Sequence, residues 1–212
     1  MIGNNSVVPD YWVRARRALA RRDPVMAGII RAHPRIGLRS RGDPFQTLAR
    51  SIVGQQISVK AADSVWARFC TAAPTLAPAE VLVLGIEKLR TCGLSGRKAE
   101  YLRDLAQHFT DGTIHAHCWP EMDDEAVIAE LTQVRGIGRW TAEMFLLFNL
   151  LRPDVLPLAD LGLQRAVASH YFCRDDLAQP AVIQVLAEGW RPWRSVATWY
   201  LWRSLDPVPV EY

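Results

Sequence analysis

Val134-Arg135-Gly136-Ile137-Gly138 separates two segments of helical apolar spacing, and its residue types suit the holding of an anion. Two glycines one residue apart let the backbone turn sharply and remove the side chains that would keep another molecule off the amides that follow. Those amides open the next helix, so a phosphate can sit on them. A Gly-x-Gly alone is equally the mark of an ordinary helix-to-helix turn. Here it runs directly into Arg139-Trp140-Thr141-Ala142-Glu143 and is followed further on by Leu156-Pro157-Leu158-Ala159-Asp160-Leu161-Gly162. Asp160 stands where a carboxylate would cap the helix beginning at Leu161. Gly54-Gln55-Gln56-Ile57 makes a tight polar turn between two apolar-periodic segments. His115, His117 and Cys118 are close together, but their Gly/Thr/Pro-rich surroundings hold no second ligand pair, and a loop is expected there rather than a metal cage. The four cysteines, Cys70, Cys92, Cys118 and Cys173, form neither a Cys-x-x-Cys pair nor a cluster spacing and are expected as reduced, half-buried thiols.

The elements that must position these residues are helical almost throughout. Asp43-Pro44 reads as a cap followed by Pro at the first helical position, and Phe45, Leu48, Ile52 and Val53 then recur at steps of three and four to about Gly54. Ser58 can cap a second helix with the stripe Ala62, Val65, Trp66 and Phe69. The apolar run Val81-Leu82-Val83-Leu84 would suit a short strand, yet a helix opened by Pro78 better accommodates Ile86, Leu89 and Leu94. Further helices are expected over 98–109, from Asp123 through Leu131, and over 141–150, 161–171, 180–190 and 193–205. No run alternates with period two for long enough to found a sheet, so the expected fold class is all-α. The Pro/Asp-rich piece 152–157 is the expected crossing between two helical lobes.

Composition narrows the rest. The chain has 212 residues, half of them hydrophobic, and a formal charge of +3, which is too small an excess to prove a polyanionic partner. Its 25 basic residues are 22 Arg and only three Lys (Lys60, Lys88 and Lys98), leaving few candidates for an active-site amine. No stretch of about 18 uncharged apolar residues occurs, and Met1 to Asp10 lacks the order of a signal peptide, so a cytosolic location is expected.

Three blocks then stand in order: Val53-Gly54-Gln55-Gln56-Ile57-Ser58-Val59-Lys60-Ala61-Ala62, Arg135-Gly136-Ile137-Gly138-Arg139-Trp140-Thr141-Ala142, and Asp160 with Trp190-Arg191-Pro192-Trp193-Arg194-Ser195. Together they resemble the helix-hairpin-helix DNA glycosylase superfamily, and within it the alkylated-base branch of bacterial 3-methyladenine DNA glycosylase II proteins, over about Asp43 to Trp202. Longer members of that branch carry an N-terminal β-rich domain, for which the stretch before Asp43 is too short.

The resemblance implies two helical lobes, a hairpin-bearing one over 43–152 and a noncontiguous one from 1–42 with 153–212, with a cleft between them and Asp160 at its rim. Asp160 would stabilise the oxocarbenium-like sugar and orient or deprotonate the attacking water. Lyase-competent relatives carry a nucleophilic Lys two residues after the second hairpin Gly. This chain has Trp140 there, which implies a monofunctional enzyme. The four closely spaced C-terminal Cys of cluster-bearing relatives are absent as well, so neither a redox cofactor nor a catalytic metal is expected. A sodium or potassium ion at the hairpin would be held by the backbone carbonyls of Thr132, Val134 and Ile137. Gln56 matches the wedge that fills the gap left by a flipped base. Trp140, Met144, Leu161 and Trp202 match a pocket for cationic alkylated purines, while Trp193 and Trp199 are assigned to the core. Gly136, Gly138, Arg139 and Lys98, with Arg97, match phosphate contacts. The implied activity is excision of 3-methyladenine, less of 7-methylguanine and least of hypoxanthine, from damaged duplex DNA by a monomer that needs no membrane. Two alternatives stand beside it: a non-enzymatic DNA-binding module, and a glycosylase for oxidised or mismatched bases.

Overall fold

The computed structural model describes residues 8–34 and 37–205. Among them the regular elements are eleven α-helices and two short 3-10 turns, with no strand. The described residues divide into two compact units, one of those up to Ser40 with those from Leu146 onward and one of Arg41–Phe145.

The second unit begins with α3 (Pro44–Gly54), α4 (Val59–Ala72), α5 (Pro78–Thr91) and α6 (Gly96–Thr110), followed by α7 (Asp124–Leu131) and the start of α8 (Arg139–Phe148). Its helix starts are written locally. Asp43 accepts from the Gln46 amide at 2.8 Å, Ser58 from Ala61 at 3.3 Å, Ser95 from Lys98 at 3.3 Å and Asp123 from Ala126 at 2.8 Å, each side chain satisfying an otherwise orphaned amide. The run at 81–84 is helical, and Gly85, at φ 70°, kinks α5 immediately after it. A file of rings fills the core, Phe45 against Phe109 at 5.3 Å, Phe109 against Trp119 at 6.2 Å and Trp119 against Phe145 at 5.0 Å, all edge to face. The 115–118 connection is tied to this core. The Glu130 carboxylate accepts from the His115 amide at 2.8 Å, pairs with His115 Nδ1 at 2.6 Å and accepts from Trp119 Nε1.

The first unit joins distant pieces of sequence. Two N-terminal helices, α1 (Trp12–Arg22) and α2 (Pro24–Ala32), pack with α9 (Leu161–Phe172), α10 (Pro180–Ala187) and α11 (Arg194–Leu205). Their shared core includes Trp12, Leu19, Met26, Leu163, Val167, Ile183, Trp190 and Tyr200. Asp23 is its hub: Oδ1 caps α2 through the Val25 and Met26 amides at 2.9 and 3.0 Å, and Oδ2 accepts from Tyr171 Oη at 2.5 Å and Trp190 Nε1 at 3.0 Å. Burial and then the Asp23 carboxylate push the Tyr171 phenol well above its ordinary pKa.

Three expectations are corrected. The division between units falls inside α8, not at 152–157. That Pro/Asp-rich piece is stitched into the first unit because Ser195 Oγ donates to Arg152 O at 2.6 Å and accepts from the Val155 amide at 2.9 Å, while Asp154 holds Arg194 at 2.7 Å. The helix expected over 180–190 ends at Ala187 and tightens into a 3-10 turn over Glu188–Trp190. The cysteines are free, but Cys92 is buried and Cys173 exposed, so only Cys70 and Cys118 are half-buried. Among the described residues no helix is long and apolar enough to cross a membrane.

Candidate active site

Asp160 lies at the N-cap of α9, where its backbone is extended (φ −75°, ψ 118°) and its side chain is almost fully buried, the residue being 6% exposed. Its Oδ1 accepts from the Leu163 amide at 2.7 Å, the capping bond that the residue type foretells. The same oxygen accepts a second bond from Trp202 Nε1 of α11, also at 2.7 Å. Two donors and the positive end of a helix dipole converge on one carboxylate. The preceding loop is fixed as well: Gln164 Nε2 donates to Leu158 O at 2.8 Å and the Asp160 amide to Pro157 O at 3.0 Å.

Trp202 is half-buried and stacks on Phe148 with ring centroids 5.9 Å apart and planes 15° off parallel. Gly162 explains how the indole reaches Asp160. A Cβ at that position would lie 3.1 Å from both Asp160 Oδ1 and Trp202 Cδ1, so any side chain would press the pair apart. The sequence reading assigned Gly162 no role, and only its place two residues after Asp160 hints at one. Leu161, expected in the pocket, is 59% exposed at the start of α9. Trp199 is buried, as assigned, whereas Trp193 is half-buried, stacked on Tyr11 at 5.8 Å.

The hairpin occupies the second unit. Between α7 and α8 the Val134 amide donates to Leu131 O at 3.2 Å and Ile137 to Val134 O at 3.1 Å, and Gly136 takes the left-handed conformation at φ 86°. A Cβ on Gly136 would fall 2.2 Å from the Tyr101 ring, so helix α6 requires this glycine. Gly138 is different, since a Cβ there would meet nothing within 4 Å. Helix α6 grips the turn again through Asp104, which accepts from the Arg135 amide at 2.8 Å, and through Glu100, paired with the Arg135 guanidinium at 3.1 Å.

The polar turn after α3 is fastened to this hairpin. Gln55 Nε2 donates to Gly136 O at 2.9 Å, and Gln56 stands exposed at the turn with φ 57°. Two residues expected at phosphates have other tasks. The Lys98 ammonium donates to Val53 O at 2.8 Å and Gln55 O at 2.6 Å, closing the C-terminus of α3, and burial pulls its pKa below the ordinary lysine value. Arg139 is bound bidentately by Glu125 and at 3.1 Å by Glu143, and its pairing with Glu125 leads the causes that hold it firmly charged. Its charge is therefore matched by carboxylates and not left for a ligand. On α8, Trp140 is half-buried and Met144 buried. Neither Gln55 nor Lys98 carries a spacing signal that would have disclosed these bonds.

A model of the HhH-GPD superfamily of base excision DNA repair proteins matches residues 49–194, and the chain belongs to that superfamily. It is similar to the DNA-3-methyladenine glycosylase 1 of Schizosaccharomyces pombe, at 36% identity over 170 residues that cover 76% of this chain and 72% of the yeast protein. A Bacillus subtilis relative is 34% identical, with 76% of this chain matching 59% of that longer protein. Among solved structures, the S. pombe 3-methyladenine DNA glycosylase in complex with abasic DNA superposes with a TM-score of 0.79 at 28% identity, covering 94% of this chain and 98% of that one.

Proposed function

We propose that this chain is a monofunctional DNA glycosylase that excises alkylated purines, 3-methyladenine foremost, from damaged duplex DNA and so opens base excision repair. The observation that carries the reading is the buried Asp160 carboxylate, held by Leu163 N and Trp202 Nε1, in a chain whose relatives are named as 3-methyladenine glycosylases. A fixed negative charge stabilises the cationic sugar as the glycosidic bond breaks, and it can take the proton of the attacking water. The base leaves with the bonding electrons, and water oxygen closes the new bond to C1′. Gln56 supports the wedge role by its exposure on a turn that Gln55 and Lys98 hold rigid. The enzyme works in the compartment that holds the DNA, and 7-methylguanine is a poorer substrate.

The hairpin carbonyls suit a monovalent cation. Thr132, Val134 and Ile137 offer neutral oxygens, and Val134 O, engaged once by the Ile137 amide at 3.1 Å, retains a second lone pair. Such an ion would lend positive charge beside a phosphate and takes no part in bond cleavage.

The test is single-turnover release of 3-methyladenine by wild type and Asp160→Asn. Release should fall at least a hundredfold in the variant, the scale of one lost electrostatic stabiliser, with duplex affinity retained. Products should stay unnicked until alkali is added, and borohydride should trap no adduct. Near wild-type release by Asp160→Asn would remove the catalytic assignment, and a trapped adduct lost on mutating Lys60, Lys88 or Lys98 would make the enzyme a lyase.

A further inference from the structure

The charge of this protein is distributed against expectation. The unit that carries the hairpin, residues 41–145, has 11 basic residues against 13 acidic ones, whereas residues 1–40 hold eight Arg and two Asp. Within the hairpin unit Arg139 is matched by Glu125 and Glu143, Arg135 by Glu100, Arg50 by Asp63 and Arg90 by Glu87. A net-negative unit repels a polyanion at the distances where attraction begins, even if its amides bind phosphate once in contact.

Helix α1 offers the opposite. Arg14, Arg17 and Arg21 are exposed and recur at steps of three and four, which places them on one stripe of the helix. Among the described residues none of the three has an ion-pair partner, and Arg14 rests over the Trp193 ring at 5.3 Å. Of the two acids in residues 1–40, Asp10 and Asp23, the second is consumed by the cap of α2, Tyr171 and Trp190. Seven residues of helix rise about 10 Å, the length over which one strand of duplex presents about three phosphates.

We propose that the Arg14–Arg17–Arg21 stripe is a second DNA-backbone contact, read without regard to sequence, that supplies the electrostatic attraction the hairpin unit lacks. This rests on the reading of the chain as a DNA-acting enzyme, and it adds a binding surface outside both hairpin and catalytic acid. The occupant is duplex backbone flanking the lesion.

The experiment compares the full chain with the triple variant Arg14→Gln, Arg17→Gln, Arg21→Gln and the matching triple Lys variant. Affinity for an undamaged duplex is measured over a salt series, and 3-methyladenine release at saturating DNA is measured in parallel. The Gln variant should lose about two to three from the slope of log affinity against log salt, close to one for each phosphate contact, with release at saturation unchanged. The Lys variant should retain the slope, and a thermal melt of each variant separates loss of charge from loss of fold. A slope unchanged in the Gln variant overturns the proposal, as does a slope lost equally in a well-folded Lys variant. Binding to anionic phosphatidylserine vesicles that disappears in the Gln variant while the DNA slope persists assigns the stripe to a membrane surface instead. Wild type that binds duplex with this salt response but releases no base would refute the glycosylase reading alone.

Discussion

At the scale of single residues the site turns on how Asp160 is held. Trp202 was expected as a stacking surface for the target base, and in the structure its indole N–H is a donor to the acid. The two roles separate by substitution. Trp202→Phe retains an aromatic ring and removes the N–H, so single-turnover release should fall about tenfold, the effect of one hydrogen bond to a charged group. Equal release by Phe and Trp would leave only stacking. Gly162→Ala should act on the same pair from the other side. Its Cβ, 3.1 Å from Asp160 Oδ1 and Trp202 Cδ1, must displace the indole, while Ala in the first turn of α9 favours the helix. We expect slower release with a melting temperature within a few degrees of wild type; unchanged release would show that the pair tolerates the displacement.

At the scale of elements the hairpin glycines make contrasting predictions. Gly136→Ala combines a left-handed backbone with a clash on Tyr101 and should destabilise the fold by roughly 2 kcal/mol or more. Gly138→Ala meets nothing within the protein, so it should melt like wild type and yet bind duplex about tenfold more weakly if a phosphate approaches its neighbouring amides. Equilibrium melts and duplex titrations of both variants decide this. The α7 helix makes a prediction in pH. Burial raises the Glu130 carboxyl, but bonds from Trp119 Nε1, His115 Nδ1 and the His115 amide outweigh it and hold the folded pKa below the ordinary value. A depressed carboxylate contributes stability above its unfolded pKa and loses that contribution as pH falls through the folded one. The stability gap between wild type and Glu130→Gln should therefore be largest at neutral pH and shrink below pH of about 4. A gap constant from neutral to acid pH would show that the carboxylate's charge is not what Glu130 contributes.

At the scale of the whole molecule, the unit that carries Asp160 is assembled from residues far apart in sequence. Trp12 of α1 packs edge-on against Trp199 of α11 at 5.2 Å and lies 5.8 Å from Tyr200, and it is essentially buried. Trp12→Ala should cost about 3–5 kcal/mol and reduce 3-methyladenine release at physiological temperature, although the residue is remote in sequence from every motif. Recovery of release on cooling below the variant's melting transition would trace the loss to folding. A variant stable but inactive at low temperature would instead give Trp12 a direct role in the site.

The helices and their caps were legible in the sequence because each rests on short-range chemistry. Asp43, Ser58, Asp123 and Asp160 accept from amides three positions ahead, and apolar steps of three and four need no distant partner. The partners of those residues were not legible. Trp202 on Asp160, Glu125 on Arg139, Lys98 on the carbonyls of Val53 and Gln55, and Asp23 beneath Tyr171 and Trp190 are contacts between elements, and spacing along a chain does not record which helix lies beside which. Charge followed the same rule. The sequence supplied a net +3, but only the tertiary structure separated the arginines neutralised by carboxylates from the stripe on α1 that faces solvent, because pairing depends on distances that folding sets.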